Sequence, residues 1–133
     1  MRFVLIFLLS CGIHQLYSQT STTPEPVKAK VEYRNSNAVF NLYPTENYFT
    51  FIKLDTRNGK MWQVQYNTDS EKRFTSTLND IELVIKSEES NQRFMLIPTI
   101  NMFTFLLMDQ IDGQTWQVQW NSDPLKRMVV PIR

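Results

Sequence analysis

The sequence predicts an all-β protein: two tandem antiparallel four-stranded units packed as a sandwich or barrel-like domain. Three observations predict it. The stretch "FTFIKLDTRNGKMWQVQYN" at 49–67 returns as "FTFLLMDQIDGQTWQVQWN" at 103–121. Within each copy apolar and polar residues alternate with a period of two, the mark of a half-buried strand rather than a helix. Between the alternating runs stand Asn58-Gly59 and Asp112-Gly113, dipeptides that tolerate the positive φ of a hairpin turn.

The duplication extends well beyond those stretches. Val27–Asn79 aligns with Ile81–Arg133 without a gap, and 20 of 53 positions are identical. The units are therefore 26–79 and 80–133. In each, "FNLY" (40–43) or "FMLI" (94–97) reads as a strand ended by Pro44 or Pro98. Phe49–Leu54 and Phe103–Met108 are apolar on both faces, as a more central strand should be. Lys53 stands where the second copy has Leu107, so the second copy either buries that face more completely or offers it to a partner. In "MWQVQY" and "TWQVQW", Trp62, Val64, Tyr66 and Trp116, Val118, Trp120 point one way, with Gln63, Gln65, Gln117 and Gln119 on the other. Arg73–Leu78 ("RFTSTL") and its counterpart "RMVVPI" add a strand after the hairpin. Val27–Tyr33 and Ile81–Lys86 contribute one further strand each, or in the case of "IELVIK" a short helical turn. An isolated meander is marginal in water. Stacking Trp62 and Val64 against Trp116 and Val118 is expected to supply the shared core.

The chain opens with "MRFVLIFLLSCGIHQLYSQT". A basic Arg2, an apolar Phe3–Ile13 and a small Ser18 read as an export signal cleaved near residue 18. The apolar run is shorter than the roughly 20 residues a membrane span needs. A second reading takes Leu8-Leu9-Ser10-Cys11 as a lipobox, with Cys11 as a lipidated N-terminus. Residues 19–30, polar and proline-bearing, read as a flexible linker. Cleavage near Ser18 would remove Cys11 and His14, the only cysteine and histidine in the chain. That excludes Cys–His and Ser–His–Asp catalysis and the usual Cys/His zinc sites. Loss of Arg2 also leaves 13 basic residues against 13 acidic ones, without the positive footprint of a nucleic-acid binder. No cofactor is expected.

Two resemblances follow from these residues. "LDTRNGKMW" (54–62) and, more loosely, "MDQIDGQTW" (108–116) resemble the aromatic-turn repeat of bacterial β-propellers such as pyrroloquinoline-quinone enzymes. Two units cannot close a propeller of four or more blades, so the resemblance implies similar hairpin chemistry, not that fold or the quinone. More broadly, the tandem unit "YPTENYFTFIKLDTRNGKMWQVQY" resembles those of small exported proteins of Bacteroides-type bacteria, which implies a periplasmic or extracellular location.

Asp55 and Asp109 recur, but Arg57 and Ile111 stand where a calcium loop needs oxygen ligands, so an Asx-type bond to the turn is preferred. A small hydrolase using these two carboxylates is the competing class; no nucleophile or convergent acid pair accompanies them. The preferred reading is a non-catalytic binding or structural module facing a protein or glycan. The alternative is carbohydrate recognition, with Trp120 and Tyr66 exposed as stacking surfaces. Gln63, Gln65, Gln117 and Gln119 are the candidate polar contacts on the opposite face.

Overall fold

Among the described residues eight strands form where the alternating segments lie. The computed structural model describes residues 37–133; the expected signal, linker and Val27–Tyr33 strand lie outside the described residues. The first sheet has the order β1 (Phe40–Pro44), β2 (Thr50–Asp55), β3 (Met61–Gln65), β4 (Phe74–Asn79). The second repeats it with β5 (Phe94–Pro98), β6 (Thr104–Asp109), β7 (Thr115–Gln119) and β8 (Met128–Pro131). All neighbours are antiparallel. Each strand of the second sheet begins 54 residues after its counterpart in the first. Ile81–Lys86 adds no strand: it runs as a bent connection into a 3-10 turn at Lys86–Glu88.

The residues that recur identically are mostly turn residues. In the β1–β2 loop, Thr45 Oγ1 donates to the Asn47 and Thr50 carbonyls, and Asn47 Oδ1 accepts from Phe49 N–H. Thr99 and Asn101 make the same bonds in the β5–β6 loop. Asn67 and Asp69 cap the 3-10 turn at Ser70–Lys72, as Asn121 and Asp123 cap Pro124–Lys126. The β2–β3 turn closes with Gly59 N–H on the Asp55 carbonyl, and the β6–β7 turn with Gly113 N–H on that of Asp109, both 3.0 Å. Within these two turns only the glycines take positive φ, +80° and +79°. The loop is thus longer than a two-residue hairpin and needs one left-handed residue, at its end.

The sheets pack back to front. The core joins Ile52, Leu54 and Met61 of the first sheet to Phe94, Leu96, Phe105, Leu107, Trp116, Val118 and Trp120 of the second. In the first sheet Ile52 pairs across with Gln63 and Leu54 with Met61, so the inward face is the one carrying the glutamines. In the second, Phe105 pairs with Val118 and Leu107 with Trp116, so the inward face carries the indoles. The expected stacking of Trp62 and Val64 on Trp116 and Val118 is therefore corrected. The second sheet buries that face, while in the first Trp62 and Val64 lie half-buried on the outside. A two-residue period fixes which side chains share a face, not which face turns inward.

The connection from β4 to β5 wraps the β2–β3 turn. Leu83 N–H donates to the Asn58 carbonyl and Phe94 N–H to that of Thr56. Leu83 packs over Gly59, its Cδ1 2.6 Å from where a Cβ would stand, whereas among the described residues Gly113 has nothing within 4 Å of that point. Glu89 accepts from Asn58 Nδ2 at 3.0 Å and pairs with Lys86 at 2.9 Å. Those two contacts, the Asn58 bond foremost, hold its carboxyl below the ordinary carboxylate value.

Candidate binding face

The outward side of the first sheet is a surface of aromatic side chains. Along the middle of the sheet Lys53 and Trp62 pair, as do Phe51 and Val64. Leu42 lies opposite Lys53 and Phe40 opposite Asp55, so all belong to one face. Phe40 is 51% exposed, Leu42 59% and Tyr66 44%. Ring contacts run across it: Phe40 to Trp62 at 6.3 Å, Phe51 to Tyr66 at 6.0 Å, Tyr66 to Phe49 at 5.7 Å, and Phe49 to Tyr48 at 5.3 Å. The rings are inclined to one another by 51° to 80°, giving a ridged rather than flat surface. Lys53 Nζ sits 4.6 Å from the Trp62 ring centroid and 5.7 Å from that of Phe40, a cation–π arrangement. Sequence reasoning missed Phe40, Leu42, Phe51 and Trp62 as surface residues. The signal was present: a lysine at 53 where the second copy has Leu107 marks that side of the first sheet as the wet one.

The anticipated contact residues separate into different environments. Tyr66 is exposed, as expected. Trp120 is 2% exposed and its indole N–H donates to the Met102 carbonyl at 2.9 Å, so the expectation that it faces solvent is corrected. The reason is the same exchange of faces, since its copy-one counterpart Tyr66 belongs to the outward side. Gln63, expected on a wet face, is 1% exposed inside the sandwich, with Oε1 lacking a partner. Gln117, its counterpart, is half-buried on the outer face of the second sheet. Gln65 and Gln119 each donate to a 3-10 turn carbonyl, that of Lys72 at 3.3 Å and Lys126 at 3.2 Å, which gives both a structural task. The four glutamines do not form one surface.

The two recurrent aspartates hold turns and arginines. Asp55 Oδ1 accepts from Arg57 N–H, and its carboxylate also takes the Arg57 side chain at 3.1 and 2.8 Å. The hydrogen bond to Asp55 raises the Arg57 pKa above its ordinary value. Asp109 Oδ1 accepts from Ile111 N–H, while Oδ2 accepts from Arg93 at 2.8 Å. Burial works against the charge on Arg93, and the Asp109, Asp112 and Glu88 carboxylates outweigh it, leaving its pKa raised. The Asx-type role expected of both aspartates is thus present, with an arginine added to each. Among the described residues, no cluster of three or more His, Cys, Asp or Glu is placed to hold a metal, and no helix is long and apolar enough to cross a membrane.

A cleft between the two Pro-Thr turns, lined by Pro44, Thr45, Pro98, Thr99 and Phe105, has a volume of about 20 Å³. That is room for a water, far short of the roughly 300 Å³ at which small-molecule pockets begin. The aromatic face is the stronger candidate. No family model, curated protein or solved structure matches this chain.

Proposed function

We propose that this protein is an exported, non-catalytic binding module whose working surface is the outward aromatic face of the first sheet. The observation that carries the reading is the run of exposed rings and leucine around Lys53, spread over β1 and the ends of β2 and β3. Apolar patches of this kind on a sheet mark interaction sites more often than chance exposure. Export is supported by the composition of residues 1–18, and the non-catalytic reading by the commitment of Asp55 and Asp109 to arginines and turns. A protein surface suits this face better than a sugar. The rings are ridged, and the ammonium of Lys53 covers the Trp62 face on which a pyranose would stack.

A photo-crosslinking residue introduced at Leu42 or Tyr66 of the exported chain tests the reading. Protein adducts are expected from both positions and not from exposed Ser122. A glycan titration that shifts Trp62 emission, without adducts, would favour carbohydrate recognition. Neither adducts nor a glycan response would end the binding reading altogether.

A further inference from the structure

Back-to-front packing leaves the same junction half-made at each end of the molecule. We infer that a second copy of this chain completes it, the outer face of one molecule's second sheet seating on the aromatic face of the next molecule's first sheet. The inference rests on reading the aromatic face as an interaction surface, and it names the occupant.

The internal junction is the template. Phe94, Leu96, Phe105, Trp116, Val118 and Trp120 form its second-sheet side. Their counterparts at an offset of 54 are Phe40, Leu42, Phe51, Trp62, Val64 and Tyr66, five of the six identical. These are the residues of the aromatic face. The first-sheet side of the junction includes Thr50, Ile52, Leu54 and Gln63. Their counterparts Thr104, Leu106, Met108 and Gln117 lie half-buried on the outer face of the second sheet. Each free face thus copies a surface that already fits the other within the chain. A like-to-like dimer would bring together faces that the internal junction never pairs.

The turn glycines show the same asymmetry: Leu83 of the following unit covers Gly59, while among the described residues nothing lies within 4 Å of the equivalent point beside Gly113. Two substitutions temper the junction: Lys53 enters the layer where Leu107 lies, and burying an ammonium is costly, while Thr115 stands where the first sheet buries Met61. Association between copies is therefore weaker than the internal packing and depends on concentration. The Gln117 amide in the same layer offers Lys53 an acceptor of the kind that Gln63 leaves unpaired. Because the contact is heterologous, a pair leaves one face free at each end, and assembly continues to a ring or filament.

Sedimentation of the full chain over rising concentration tests this, with two variants at exposed positions. L42K/Y66K alters the first-sheet face and I97K/V130K the second-sheet face, at residues 59%, 44%, 37% and 41% exposed. Wild type should form species larger than dimers. Each variant alone should remain monomeric over the same range, with unchanged circular dichroism. An equimolar mixture should recover dimers and nothing larger, because only one intact pair of faces remains. A wild type that stays monomeric overturns the inference. So does assembly that survives I97K/V130K but not L42K/Y66K; in that case the aromatic face still binds, but not head to tail.

Discussion

Equivalent positions in the two units should differ sharply in what their truncation costs. Ile52 and Val118 are both 0% exposed, whereas their counterparts Leu106 and Val64 are half-buried on outer faces. At about 0.8 kcal/mol per buried methylene, Ile52→Ala removes roughly 2.4 kcal/mol of transfer free energy. A partly relaxed cavity raises that to about 3–4 kcal/mol. Val118→Ala by the same reasoning costs about 2–3 kcal/mol, while Val64→Ala and Leu106→Ala each cost about 1 kcal/mol. Sheets stacked by their like faces would give another pattern, with both valines expensive and both of the other positions cheap. Urea denaturation followed by circular dichroism measures all four, with a constant slope confirming two-state behaviour. Dilute protein is required, since association would protect Val64 and Leu106 through mass action. A Val64→Ala loss equal to that of Val118→Ala would refute the back-to-front arrangement.

Two further outcomes follow from the turn and its wrapping connection. Gly113→Ala should cost about 1–2 kcal/mol, the ordinary penalty of a Cβ in the left-handed region. Gly59→Ala should cost about 1 kcal/mol more, because Leu83 must move, and Leu83→Ala in the same chain should erase that excess in thermal melts. The lowered pKa of Glu89 makes its contribution complete above the ordinary carboxylate value and lost as pH falls through its lower folded value. Glu89→Gln should therefore flatten the acid side of a stability–pH profile while leaving its neutral slope unchanged.

The strands, their order and the hairpin positions were legible because local chemistry decides them. "WQVQ" alternates, Pro44 and Pro98 close their strands, and Gly59 and Gly113 supply the one backbone conformation each turn needs. The choice of inward face was not local. It depends on which side meets the other sheet, and Trp62 and Trp116 are identical in sequence but opposite in fate. Only differences between the copies carried that information. Lys53 against Leu107 was such a difference, and so was Met61 against Thr115: each sheet keeps its larger apolar residue on its inward side. Tyr66 against Trp120 carried it too, but the polar member marked the exposed sheet rather than predicting exposure for its partner. "IELVI" at 81–85 was ambiguous because its apolar residues obey no strand or helix period: Leu83 and Val84 pack against the core from a connection, while Ile81 and Ile85 stay exposed.

The two turn aspartates draw their counter-charge from different places in the chain. Asp55 is neutralised from within its own loop by Arg57, but Asp109 by Arg93, which precedes β5. Ile111 occupies the second position equivalent to Arg57, and Val39 the first position equivalent to Arg93. The loops consequently cannot be traded between repeats, despite their matching length and backbone. Grafting "DQIDGQ" onto the first hairpin would strand an anion in the interior, and the reciprocal graft would crowd two guanidinium groups around one carboxylate.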